Sequence, residues 1–184
     1  MRRIAVVGNS GTGKTTLALA LADKLGLTHI ELDGLFHQPD WTPTPPEEFQ
    51  ATLQAAMDEA DERTGGWTMC GNYATPGNRI NQKAADTIIW LDMARWLIMF
   101  RVVRRTLKRA ITREELWNGN REPLTNFYKW DPEENIIRWA WVQFHQYRKQ
   151  NLAAMADGTW SHAEVHHLRS PAEVEEFILA AVTS

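Results

Sequence analysis

The chain alternates between short apolar runs and longer segments with a helical period. Arg3–Val7 is apolar without interruption after its first residue and reads as a buried strand. Lys14–Leu25 repeats apolar residues at helical spacing and is closed by Gly26. "THIELD" is a second short strand ending at Asp33. The stretch that follows, "GLFHQPDWTPTPPEEF", carries four prolines and a glycine and reads as a loop. Pro46 suits a first helical turn, and "EEFQATLQAAMDEADER" continues from it as an amphipathic helix. "GWTMCGN" is a third strand, and "ADTIIWLD" a fourth of the kind covered on both faces. "ARWLIMFRVVRRTLKRAI" has a helical period, whereas "TREELWNGNREPLTNFYKW", residues 112–130, has no clean period and reads as a mobile insert. "DPEENIIRWAWVQFHQYRKQNLAAMA" is a long helix with Pro132 near its start. "AEVHHL" is a fifth strand, and Ser170, Pro171 and Glu173 open a last helix with a capping box. Five strands alternating with helices, with no internal repeat, predict one α/β domain with a parallel sheet over residues 1–184.

Composition narrows the class without choosing a function. A hydrophobic fraction of 43% and a charged fraction of 23% describe an ordinary globular protein. The net charge of -3 argues against a generic nucleic-acid binder, although it leaves room for a local basic patch. The single cysteine, Cys70, excludes an intramolecular disulfide. No apolar run approaches the roughly 18 residues of a membrane span. The opening "MRRIAVVGNSG" has two arginines, but its apolar run is too short for a secretory leader. A cytoplasmic protein with no membrane partner is expected.

The chemistry enters at "VVGNSGTGKTT". Gly8, Gly13, Lys14 and Thr15 complete the pattern G-x-x-x-x-G-K-[ST], between a predicted strand and a predicted helix. Glycines let the backbone wrap so that its N–H groups point at phosphate oxygens, here through Gly8, Ser10, Gly11, Thr12 and Gly13. The helix that follows adds its positive end. Lys14 reaches the β- and γ-phosphates of ATP, and the Thr15 hydroxyl ligates Mg2+. Thr16 suits helix packing or an α-phosphate contact. Kinases, GTPases and motor ATPases share this loop. The chain lacks an N-K-x-D guanine signature and is small for a motor, so a small-molecule kinase fits its length best.

The loop "GNSGTGKTT", together with "LDGLFHQPDW", "GNY", "TIIWLD" and "TREELWNGN", resembles the adenylate-kinase-like P-loop proteins labelled DNA topology modulation proteins. The resemblance runs from Ile4 to about Ser170. It implies a three-layer P-loop NTPase fold of the nucleoside and nucleotide kinase type, with sheet order 2-3-1-4-5. It also implies that residues 112–130 form a lid. Members of that group carry an aspartate just before the "GN" of the third strand. Here Cys70 stands there, and a thiol is a weak ligand for a hard cation such as Mg2+. Asp33 is the substitute, as general base or as a ligand through a metal-bound water; its alternative is a turn aspartate before Gly34. Asp92 is expected to cap the following helix.

Arg101, Arg104, Arg105, Lys108 and Arg109 fall along one side of that helix, with Phe100, Val103, Leu107 and Ile111 on the other. The resemblance assigns Arg105 and Arg109 on the helix, and Arg113 and Arg121 in the lid, to neutralising the charge of a phosphoryl group in transfer. A solvated basic face and a stripe of DNA-phosphate contacts are the alternative readings. The lid tip is Asn118–Asn120, and Trp117 is expected to pack. On the acceptor side stand His37, Trp41, Asn72 and Arg79. His166 and His167 alternate faces on a strand and do not make a metal site. Two functions follow: a P-loop kinase acting on a small-molecule or nucleotide acceptor, or an ATP-binding regulator with weak hydrolysis and a contact to DNA.

Overall fold

Five parallel strands form one sheet: β1 (Arg3–Gly8), β2 (Thr28–Glu31), β3 (Trp67–Cys70), β4 (Thr87–Leu91) and β5 (Glu164–Leu168), in the order β2-β3-β1-β4-β5. The structure is a computed structural model and describes residues 1–71, 80–129, 131–132 and 135–181. The helices are α1 (Lys14–Leu25), α2 (Leu32–Phe36), α3 (Pro46–Thr64), α4 (Ile80–Ala84), α5 (Arg95–Thr112), α6 (Ile136–Ala156) and α7 (Pro171–Ala180). Short 3-10 turns lie at Pro39–Trp41, Trp117–Gly119 and Leu124–Phe127.

Helices cover both faces of the sheet, which is why its central strands run mostly apolar, with Thr68 and Thr87 as buried polar residues among them. On one face Ile4, Val6 and Ile89 pack with Leu17 and Leu21 of α1, Ile98 and Val102 of α5, and Ala140 of α6. On the other, Val7, Ile88 and Trp90 pack with Phe49, Leu53 and Met57 of α3 and with Trp160. The register sets the site. Val6 pairs with Cys70, and Cys70 pairs in turn with Glu31. The ends of β1, β2 and β3 are therefore level, and Gly8, Asp33 and Gly71 leave the sheet along one edge. In open parallel sheets that carboxyl edge is where ligands bind.

Four local expectations change. β2 ends at Glu31, and Asp33 lies inside the single turn α2 rather than at a strand end. The proline-rich segment begins with that turn and is therefore not loop throughout. The long helix starts only at Ile136, where the Asn135 side chain accepts from the Arg138 N–H. Asp92 does not cap α5: Ala94 holds that position, and Asp92 accepts from Arg148 Nε and meets His167 Nε2, both at 3.1 Å. The capping box of α7 forms as expected, the Glu173 N–H donating to Ser170 Oγ at 3.2 Å.

On α5 the row facing the core is Ile98, Val102 and Thr106, while Phe100, Leu107 and Ile111 face outward. This row comes so close to the loop after β1 that only glycine fits at position 11, where a Cβ would stand 2.6 Å from Val102 Cγ2 and 2.9 Å from the Ile98 carbonyl. Among the described residues no helix is long and apolar enough to cross a membrane.

Candidate functional site

The loop Asn9–Gly13 turns between β1 and α1 through three glycines with positive φ: Gly8 at 147°, Gly11 at 83° and Gly13 at 101°. Side chains pay a steric cost in that region and glycine does not. Asn9 holds the loop from beneath. Its Nδ2 donates to the Ala140 carbonyl at 2.7 Å, and its Oδ1 accepts from the Ser10 N–H at 2.8 Å. The Asn9 carbonyl accepts from Lys14 Nζ at 2.9 Å and from Thr12 Oγ1 at 2.8 Å. Lys14 is thus folded over the loop, as a phosphate-directed lysine must be. Burial pulls it from its ordinary value down to about 8; Asp33 and Cys70 oppose this and Arg105 adds to it. Thr15 follows at the first turn, its Oγ1 3.4 Å from Cys70 Sγ. Thr16 is exposed.

Helix α5 lays its cations over this loop. Arg101 Nη1 donates to the Thr12 carbonyl at 3.2 Å, and Arg105 Nη2 donates to Ser10 Oγ at 3.0 Å. Arg105 Nε is buried and, among the described residues, has no hydrogen-bond partner. Arg109 stands 3.7 Å from the buried Glu122 carboxylate, and its guanidinium lies 5.8 Å from the Trp117 ring centroid. These contacts turn Arg101, Arg105 and Arg109 toward the loop and the insert, and take them out of an exposed stripe for DNA. Arg113 is exposed at the end of α5. Arg121 is exposed and lies 4.0 Å from Glu115. Neither joins the cluster around Lys14 by a hydrogen bond or ion pair among the described residues.

The insert bonds to the segment after β2 rather than lying over the loop alone. Asn118 Nδ2 donates to the carbonyls of Gly34 and His37, at 3.0 and 2.6 Å. Asn120 Nδ2 donates to the Gln38 carbonyl at 2.9 Å, while its Oδ1 accepts from the Trp41 N–H at 2.9 Å. Trp41 Nε1 donates to the Arg121 carbonyl at 3.0 Å. Trp117 lies flat on Gly34: a Cβ there would stand 3.2 Å from its Cδ1. His37 stacks near Trp117 at 6.3 Å and meets the Trp41 ring edge at 5.1 Å. Burial holds His37 below its ordinary value, against the pull of Asp33. Asn72 and Arg79 lie outside the described residues.

Sequence reasoning located the loop, Lys14, Thr15 and Arg105, and it placed Asp33 near them. It missed Asn9 and Glu122, and it named Asn118 and Asn120 only as the flexible tip of the lid, whereas they bond it to the acceptor segment. The dense run "NGNRE" was the available signal, because polar amides with no period in an insert need partners outside it. His166 and His167 do alternate: one packs on Phe177, and the other stacks on Trp90 at 3.9 Å. No group of three metal-ligating side chains occurs among the described residues.

Residues 4–71 match the family model of the AAA ATPases, the "ATPase family associated with various cellular activities". Two solved structures resemble the whole chain. A sugar kinase from Janibacter sp. HTCC2649 is 21% identical, with a TM-score of 0.52, over 100% of this chain and 93% of that one. A shikimate kinase from Acinetobacter baumannii, solved with shikimate, is 17% identical, with a TM-score of 0.53, over 100% and 92%. No curated protein matches the sequence. The chain has a P-loop NTPase fold of the kind found in sugar and shikimate kinases, with the expected 2-3-1-4-5 sheet. The narrower resemblance to the topology modulation group is not confirmed by these matches.

Proposed function

We propose that this protein transfers the γ-phosphoryl group of ATP to a hydroxyl or phosphate oxygen of a small-molecule or nucleotide acceptor. The observation that carries this reading is the convergence of Lys14, Asp33 and Arg105. Lys14 Nζ bonds the Asn9 carbonyl and Arg105 Nη2 bonds Ser10 Oγ, so both cations stand on one loop at the carboxyl edge of the sheet, with Asp33 near enough to act on the charge of Lys14. The residues present fit a triphosphate: a loop turned by three glycines at positive φ, a half-buried ammonium, and a half-buried guanidinium whose Nε is unused among the described residues. They fit magnesium too. This ion keeps most of its waters and takes few protein ligands, so the Thr15 hydroxyl, with Asp33 through a water, would hold it. Its chemistry there is to neutralise charge across the β- and γ-phosphates.

The chain's own groups supply the rest. Lys14 and Arg105 draw negative charge toward the loop and stabilise it as it spreads over the moving phosphoryl oxygens. Asp33 accepts the proton of the acceptor hydroxyl as that oxygen bonds to the γ-phosphorus, and ADP leaves with the electrons of the broken P–O bond. Arg109, held by Glu122, steadies the acceptor end. His37 and Trp41 wall the acceptor, and residues 112–130 act as a lid that excludes water. Arg113 and Arg121 stand outside this arrangement and reach it only if the lid moves. A lid fastened to the acceptor segment suits transfer to an acceptor better than nucleotide sensing.

The test is ADP release from ATP and Mg2+ across a panel of nucleoside monophosphates, nucleosides, sugars and hydroxylated acids. Strong stimulation by one class, abolished in Asp33→Asn, supports the reading and names the acceptor. A flat panel with tight ATP binding overturns it in favour of an ATP-binding regulator.

A further inference from the structure

We propose that the outward side of α5 is a homodimer interface, in which the helix packs antiparallel against α5 of a second copy. Trp96, Phe100, Leu107 and Ile111 are 73%, 58%, 45% and 81% exposed. Scattered exposed apolar residues are normal; four large ones in one row along a helix form a patch that calls for a partner. Their spacing is four, seven and four residues, which reads the same in both directions. A twofold axis crossing the helix between Val103 and Arg104 therefore seats Trp96 on Ile111 of the partner subunit, and Phe100 on the partner's Leu107. An isologous contact requires this self-complementarity. Antiparallel helices also place opposite dipole ends together.

The size is adequate. Trp96 and Phe100 bring about 150–250 Å² each and Leu107 and Ile111 somewhat less, so the exposed parts of the four contribute roughly 400–500 Å² per copy. Both copies together approach the ~1,000 Å² of a specific interface, and the stems of Arg104 and Lys108 supply more. The charge pattern gives an anionic surface little to hold. Of the six cations on α5, Arg101, Arg105 and Arg109 turn toward the phosphate loop and insert, and Arg95 lies 3.5 Å over the Trp141 ring. Only Arg104 and Lys108 remain outward, and Lys108 lies 4.0 Å from Glu114. Two cations hold a lipid surface weakly. The site side of α5 faces away from this row, so pairing leaves the phosphate loop open.

Sedimentation over a concentration series tests the proposal. The expected result is a monomer–dimer equilibrium whose dissociation constant rises about 100-fold in Phe100→Glu and in Leu107→Glu, because each sets a charge against an apolar row. Both positions are exposed, so circular dichroism should stay at wild-type values, as should the melting temperature at a dilution where wild type and variants are all monomeric. A cross-link reads the geometry without relying on those variants. Trp96→Cys mixed with Ile111→Cys should join through a short bismaleimide, whereas either variant alone should not, its two thiols being about 22 Å apart. Cys70 is buried and does not compete. A wild-type chain that stays monomeric at the highest concentration reached overturns the proposal, and its sedimentation with phosphatidylserine vesicles would transfer the row to a lipid surface. A dimer indifferent to both charge variants, or cross-linking of like with like, overturns it as well.

Discussion

The Thr15 hydroxyl oxygen lies 3.4 Å from the Cys70 sulfur, where the first turn of α1 meets the end of β3. Burial pushes the Cys70 thiol up to about 11, although the Thr15 hydrogen bond and Lys14 pull the other way. At neutral pH the sulfur is therefore uncharged, and the hydroxyl proposed to hold magnesium has a soft, neutral neighbour instead of a carboxylate. Support for the ion then rests on Asp33, across the sheet edge.

Cys70→Asp should therefore tighten magnesium. The new carboxylate is a hard ligand within reach of Thr15, and its charge is offset by the buried Lys14. The expected outcome is a drop of about tenfold in the magnesium concentration giving half-maximal ADP release, with Cys70→Ser unchanged. An equal magnesium requirement in Cys70→Asp would mean that this position does not face the ion.

The lowered value of Lys14 makes nucleotide binding sensitive to mild alkali. Its ammonium is present below about 8 and is lost as pH rises through that value. ATP affinity of the free protein should fall between about pH 7 and pH 9, and Lys14→Met should bind weakly with no such slope. Stability moves the opposite way. Between about 8 and the ordinary 10.5 the unfolded chain holds the proton and the folded one does not, so this group makes the apo protein more stable as pH rises. Titration calorimetry and melting curves on the same samples separate the two trends. Unchanged ATP affinity over that range would remove Lys14 from the phosphate contact.

Asn120 ties the insert to the acceptor segment through one acceptor and two donor bonds, to Trp41, Gln38 and Trp117. It is buried, so Asn120→Ala strands its partners at roughly 1 kcal/mol per lost bond. The insert should open, with faster proteolysis there and an acceptor KM raised about tenfold or more at unchanged KM for ATP. A rise in both constants alike would place the effect on the whole fold.

Much of this was legible in the chain. The phosphate loop announces itself because its chemistry is local: glycines, a lysine and a threonine at fixed spacing need no distant partner. The strands are equally plain, being apolar runs with helices between them. Asp33 was placed near the loop but on the wrong element, because "THIELD" continues a strand pattern and Asp-Gly imitates a turn. The apolar side of α5 reads as Phe100, Val103, Leu107 and Ile111, but Ile98 and Val102 have the same period and are the pair that is buried. What selects that pair is the close approach of Gly11, a tertiary fact. Asn118 and Asn120 bond across about eighty residues of sequence, and no local signal encodes that.

Arg105 sets function against stability. Its guanidinium is buried, its value is lowered by that burial and by Arg109 beside it, and Glu122 and Asp33 only partly offset the cost. Among the described residues its guanidinium makes one hydrogen bond, to Ser10 Oγ, and its Nε has no partner. A buried charge so placed is kept at a loss until a phosphate arrives. Arg105→Met fills similar volume without the charge. The apo protein should become more stable, by about 1 kcal/mol or more, while ADP release falls on the order of 100-fold or more. Arg105→Lys should recover little, because a point charge cannot hold Ser10 and a phosphate oxygen at once as a fork does. Melting of the apo protein and turnover with the best acceptor, measured in both variants, check the pair of effects. A less stable Arg105→Met with full turnover would make this arginine a structural clamp for the loop and leave Arg109 to meet the phosphate.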